Sequence, residues 1–172
     1  MARAALGSDE SFETVIERHA PGLLSFIKRM VGNHHVSEEL FQDVVGLVWK
    51  NRANYNYPSP FKPWLFKIAV NRCREEFRRR DAPKPFQVYV ESVPGNFKPP
   101  EVEVVSKETS KIVNQAVECL AEQQRAVVVL RIWHGLSYRQ IGQVVDASEA
   151  TVRGYMHHAL KKLRLELEPH GI

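Results

Sequence analysis

Residues 136–164 read LSYRQIGQVVDASEATVRGYMHHALKKLR. Ser137 with Gln140 three positions on is a capping box, in which each side chain satisfies a backbone N–H that a helix start leaves unpaired. Ile141, Val144 and Val145 fall on one face of a short helix, and Asp146-Ala147 makes a turn. Ser148 then caps a second helix with apolar positions Val152, Met156, Ala159 and Leu163. Two capped helices around a tight turn predict a helix-turn-helix. In that motif the second helix enters the major groove with its first residues at base edges, while caps and first helix offer N–H groups and cations to phosphates. Here its outer face carries Glu149, Ala150, Thr151, Arg153, Gly154, His157 and Lys161, with Ser137, Arg139 and Ser148 at the helix starts. A generic amphipathic hairpin would also explain the apolar face. Agreement of caps, turn length and core positions favours DNA.

Upstream, Ile112, Val113, Ala116, Val117 and Leu120 predict one helix, and Val127, Val128, Leu130 and Ile132 the next, stopped near Gly135. Residues 82–107 hold five of the ten prolines and no sustained period, which predicts a linker. The 172-residue chain thus divides into 1–81 and 108–172, each near the lower limit for holding its own core. Neither half alternates as strands do, and the expected fold class is all-α, two small helical domains.

In the first half, Phe12, Val15, Ile16, Leu23, Ile27, Met30 and Val31 form one helical stripe, which Pro21-Gly22 should kink or split. Ser37 is the expected N-cap of a second helix reaching about Arg52, with Glu38 and Glu39 at the positive end of its dipole and Leu40, Phe41, Val44, Val45 and Val48 buried. A third begins at Pro63 and runs through Trp64, Leu65, Ile68, Ala69, Cys73 and Phe77 to Arg78-Arg79-Arg80.

Charge is segregated along the chain. Lys62 to Arg80 holds seven cations and two acids, a net of +5; Ser37 to Lys50 holds three acids and one Lys, a net of −2. Ser137 to Arg164 is at +3, within a whole-chain charge of +4. Basic segments flanking an acidic one imply an anionic partner touched in two places and a second, different partner. The loop from Ala53 to Lys62 interleaves Tyr55, Tyr57 and Phe61 with Asn54 and Asn56, a composition suited to unpaired bases that stack on rings while cations follow the backbone. Such stacking is worth about 1–3 kcal/mol per base, comparable to the cost of unstacking. No nucleotide-binding loop, nucleophile and base set or metal-ligand spacing is present, so no enzyme, cofactor or metal is expected. His34, His35, His134, His157 and His158 are expected in surface or capping roles, and Cys73 and Cys119 as buried thiols of a reducing compartment. No apolar run approaches the roughly 20 residues of a membrane span and Met1 to Asp9 lacks a secretory pattern, so a cytoplasmic protein without membrane insertion is expected. A stand-alone helix-turn-helix regulator and a helical adaptor that never touches DNA remain open on these residues alone.

The segments VSEELFQDVVGLVWKNRANYN and PWLFKIAVNRCREEFRRR closely resemble region 2 of bacterial RNA polymerase sigma factors of the extracytoplasmic function group, and the C-terminal motif resembles region 4. The resemblance runs from about Phe12 to Leu167. It implies that Glu39, Gln42, Asp43 and Gly46, at three- and four-residue spacings, bind the clamp coiled coil of the beta-prime subunit. The resemblance implies the beta flap as a further polymerase contact. It implies that Asn54, Tyr55, Tyr57, Phe61 and Lys62 capture the melted −10 strand, with Lys67, Asn71, Arg74 and Arg78 along the duplex upstream, and that the helix-turn-helix reads the −35 element. An anti-sigma factor is a further implied partner. Two departures from the family pattern are Asp146, where the turn often has Gly, and Gly154-Tyr155, where Ser and Arg are frequent. Fewer cations there imply shape or apolar readout of the −35 element.

Overall fold

The structure, a computed structural model, describes residues 9–55, 59–81 and 107–171. Its helices are α1 (Asp9–Val31), α2 (His34–Lys50), α3 (Phe61–Asp81), α4 (Lys107–Glu118), α5 (Glu122–Ile132), α6 (Tyr138–Val145) and α7 (Glu149–Leu167), with 3-10 turns at Arg52–Asn54 and Glu168–His170. Among the described residues there is no strand, and no helix is long and apolar enough to cross a membrane.

α1, α2 and α3 pack on one another. Leu23, Phe26, Ile27 and Met30 of α1 meet Leu40, Val44 and Val48 of α2 and Leu65, Phe66, Ala69, Val70 and Cys73 of α3, all buried. Each such large side chain removed from water contributes about 1.5–3 kcal/mol. Phe26 and Phe66 pack edge to face at 5.1 Å, as do Phe12 and Trp49 at 4.8 Å. Glu76 is a buried carboxylate: burial alone pushes its pKa up, but hydrogen bonds from Arg79 at 2.8 Å and Arg80 at 3.0 Å win and leave it below the ordinary range. Arg80 also donates to the Val31 carbonyl at 3.3 Å, tying the end of α3 to the end of α1.

Three expectations are corrected in this half and its neighbour. α1 is one continuous helix with Pro21 inside it. Pro21 faces solvent, so its missing N–H leaves a carbonyl exposed to water while the buried side stays intact. α2 starts earlier than Ser37: Asn33 is the N-cap, its side chain accepting the Val36 N–H at 3.1 Å, and the buried Ser37 donates its hydroxyl to the Asn33 carbonyl at 2.5 Å. Gly32, at φ +70°, ends α1 immediately before this cap. Cys73 is buried, its thiol pushed up to about 12 by burial, whereas Cys119 is exposed beyond the end of α4.

α4, α5 and α6 surround α7 through Val117, Val127, Leu130, Ile141, Val144, Val152, Met156, Ala159 and Leu163. Trp133, partly buried, packs on this core. The two helical groups do not stand apart: α1 packs on α4 and α5, and α3 packs on α6. The proposed linker falls outside the described residues.

Candidate nucleic-acid interface

The predicted caps form as the spacing requires. Ser137 accepts the Gln140 N–H at 3.2 Å while the Gln140 side chain accepts the Ser137 N–H at 2.9 Å. Ser148 accepts the Thr151 N–H at 3.1 Å. Between them Asp146 sits at φ 56°, ψ 49°, ending α6 in the left-handed region, and the Ala147 N–H reaches the Gly142 carbonyl at 3.0 Å. Gly142 lets the turn close over α6, since a Cβ there would come within 2.6 Å of the Ala147 carbonyl oxygen.

On the outer face of this motif Ser137, Arg139, Ser148, Glu149, Ala150, Thr151, Arg153, His157 and Lys161 are at least partly exposed, and Gly154 is half-buried with open space above it. Arg153 is held in place rather than loose: its guanidinium donates to Glu149 at 2.6 Å and lies over the Tyr138 ring at 4.7 Å. Arg131 stacks on the same ring at 4.9 Å. Tyr138 and Arg131 are absent from the sequence-derived set, although Tyr138, first residue after a capping serine, could have been recognised as a platform beside the second helix.

On α2, Glu39, Gln42, Asp43 and Gly46 lie opposite buried Leu40, Val44 and Val48, on the solvent side of the helix. Nothing stands over Gly46. Asp43 Oδ2 accepts from Arg72 Nη2 at 2.7 Å and Nε at 3.0 Å, and His35 lies 3.4 Å from Glu39. Arg72 is therefore a neighbour of this acidic face that the helix-by-helix reading missed.

Tyr55 is turned inward: the residue is 8% exposed, its ring packs on Phe61 at 5.9 Å and Trp64 at 5.4 Å, and its hydroxyl donates to the Ser59 carbonyl. In this arrangement it buttresses the start of α3 instead of presenting a face to bases. Phe61 also meets His19 at 5.2 Å. Asn54 is exposed, while Asn56 and Tyr57 lie outside the described residues.

Along α3, Lys67, Asn71, Arg74 and Arg78 share one side; Asn71 and Arg78 are exposed. Lys62, Lys67 and Arg74 are engaged by the C-terminal half of the chain. Lys62 Nζ donates to the His134 carbonyl at 2.6 Å and Lys67 to Asp146 at 2.6 Å. Arg74 donates to Glu122 at 3.0 Å, Gln123 at 2.7 Å and the Val145 carbonyl at 3.4 Å. His134, expected on the surface, lies inside this junction, 4.6 Å from the Phe66 ring and 5.9 Å from Phe26. Burial, with Lys62 and Arg29 nearby, pushes its imidazole down to about 4. Among the described residues no group of three or more His, Cys, Asp and Glu could hold a metal.

Residues 15–82 match the family model for sigma-70 region 2, and residues 110–163 match that for sigma-70 region 4. The chain belongs to the sigma-70 family. It is a sigma factor of the extracytoplasmic function group, directing promoter recognition in transcription initiation. It is similar to the RNA polymerase sigma factor CarQ of Myxococcus xanthus, at 29% identity over 98% of each chain. The ECF RNA polymerase sigma factor SigW of Bacillus subtilis is 25% identical over 94% of this chain and 91% of its own. ECF RNA polymerase sigma factor SigE of Mycolicibacterium smegmatis is 28% identical; the match takes in 94% of this chain and 63% of that longer relative. In fold, this sigma factor is similar to the sigma factor RpoE of Bartonella quintana, solved in complex with the anti-sigma factor NepR, at a TM-score of 0.76, 22% identity and coverage of 92% and 98%. It is likewise similar to CnrH in complex with the cytosolic domain of CnrY, at a TM-score of 0.74, 23% identity and coverage of 98% and 94%.

Proposed function

We propose that this sigma factor docks on core RNA polymerase through Glu39, Gln42, Asp43 and Gly46 of α2, placing a −10-binding domain (1–81) and a −35-binding domain (108–172) on one promoter. The observation that carries the reading is an exposed acidic face on the region 2 domain in a chain that also holds a region 4 helix-turn-helix with both helices N-capped. The beta-prime clamp coiled coil is the partner of that face. For the beta flap, the supporting feature is an apolar groove of about 430 Å³ walled by Val113, Val117, Ile132, Leu160 and Leu167, where Ile132 and Leu160 are half exposed. A groove of this kind receives an apolar helix face.

In region 2, Asn54, Tyr57, Phe61 and Lys62 capture melted bases, with Lys67, Asn71, Arg74 and Arg78 on the duplex. Tyr55 acts from behind as the support of that loop. In region 4, Arg153, His157 and Lys161 face the −35 groove. Ser137, Arg139, Ser148, Glu149, Thr151 and Gly154 complete that surface. Joining two modest DNA modules on one polymerase raises their effective concentration, so neither needs to bind tightly alone. The sigma factor itself catalyses no reaction, acts in the cytoplasm with the polymerase, and is held by an anti-sigma factor when idle.

The test is size-exclusion co-elution with purified core polymerase at moderately high salt, which suppresses nonspecific attachment of a basic chain. Asp43→Arg loses one surface ion pair, worth about 0.2–1 kcal/mol, and should stay folded. Wild type should co-elute, Asp43→Asn should co-elute weakly and Asp43→Arg should not. Equal co-elution of all three refutes the assignment of α2.

A further inference from the structure

Arg72 stands beside the acidic face of α2, on the neighbouring helix α3 and 29 residues along the chain from Asp43. Its Nε and Nη2 donate to the same oxygen, Asp43 Oδ2, at 3.0 and 2.7 Å. Its Nη1 lies 3.6 Å from Glu75. Ile68, one turn earlier on the same flank of α3, packs on the core, and the Arg72 side chain is only 24% exposed. The guanidinium is therefore fixed, while the Asp43 side chain stays half exposed. Both donors converge on Oδ2, and among the described residues Asp43 Oδ1 receives no hydrogen bond. The cluster of Glu76 with Arg79 and Arg80 is of another kind, its carboxylate buried and part of the fold. At the solvent, an ion pair such as Arg72 with Asp43 adds little to stability.

We infer that Arg72 is a positioning residue for docking on core polymerase: its fork holds the Asp43 carboxylate in one orientation and leaves Oδ1 to a cationic side chain of the partner. The inference rests on the proposed role of α2 as the docking face. A carboxylate already held in place loses little side-chain freedom when the partner arrives, and the complex lasts longer by that amount. The charge of Arg72 acts in the opposite sense. A cation within an acidic face weakens the field that draws a cationic partner in, so it slows encounter. Orientation and charge thus bear on different rates, and this separates them from a purely structural role.

The test measures association and dissociation rates of the full chain on immobilised core polymerase for Arg72→Lys, Arg72→Met, Asp43→Asn and the double variant Arg72→Lys with Asp43→Asn. Lysine keeps the charge and loses the fork. Arg72→Lys should associate as wild type does and dissociate about two- to tenfold faster, the scale of ordering one side chain on binding. Arg72→Met should dissociate faster by a similar factor and, at low salt, also associate faster, a gain that high salt removes. The double variant should dissociate no faster than Asp43→Asn alone, because Arg72 acts through that carboxylate. Thermal melts of Arg72→Lys and wild type should agree within about 4 °C. A larger fall in Tm would make Arg72 a part of the fold and overturn the inference. Wild-type dissociation of Arg72→Lys would overturn the positioning, and additive effects in the double variant would overturn action through Asp43. Unchanged dissociation of Asp43→Asn is the separate failure: it removes α2 from the interface, and the role of Arg72 goes with it.

Discussion

Gly142→Ala sets helix propensity against sterics inside one residue. Gly142 is a buried position of α6, where Ala would be favoured over Gly by about 1 kcal/mol on propensity alone. Against that, the added Cβ would sit 2.6 Å from the Ala147 carbonyl oxygen, where ordinary contact begins near 3.4 Å. The obstacle is backbone, so the turn must move. Overpacking of this kind costs about 1–3 kcal/mol, and loosening the Ala147 N–H bond to the Gly142 carbonyl adds about 0.5–1.5 kcal/mol. Sterics win by about 1–3 kcal/mol, which for a chain of this length is a fall in Tm of roughly 3–10 °C. Gly154→Ala provides the opposite case: it lies within α7 with nothing within 4 Å of an added Cβ, so propensity acts alone. That variant should melt roughly 1–4 °C higher than wild type. Circular dichroism melts of the three proteins, with hydrogen exchange of α6 and α7, read both shifts. An equal or higher Tm for Gly142→Ala would refute the claim that the turn closes on this glycine.

Replacing Arg153 or Lys161 by alanine should weaken promoter binding by the holoenzyme and reduce its salt slope by about one unit for each phosphate no longer neutralised; unchanged slopes for both would remove α7 from the DNA. For pH, His134 is neutral in the folded chain, with a value lowered from 6.5 to about 4 by burial, Lys62 and Arg29. The unfolded chain takes up the proton more readily, so this contribution to stability is full above pH 6.5 and is lost as pH falls from 6.5 toward 4. Melting curves should show Tm falling on acidification of wild type and a flatter profile for His134→Leu; parallel profiles would show that another group controls the change.

The helix-turn-helix was legible because its determinants are local. Ser137 with Gln140, Ser148 with Thr151, and the apolar positions of α6 and α7 act over three or four residues, where helix geometry alone fixes who meets whom. The same locality explains the misreadings. Asn33 and Ser37 are both competent caps, and choosing between them depends on whether Ser37 is buried. Pro21 breaks a helix or rides on its solvent side according to which face the neighbouring helices cover. Tyr55 can stack on a base or on Trp64, a choice made by the packing of the loop against α3.

From its residues alone, then, the chain determined the helices, the caps, the two-domain order and the family. Tertiary structure alone decided that Lys67 meets Asp146 and Arg74 meets Glu122, and that His134 is half-buried between the two helical groups. Those partners lie 79 and 48 residues apart for the two ion pairs. No periodicity links residues at such separations; they meet only because two helical groups, each complete in its own pattern, bury one side against the other.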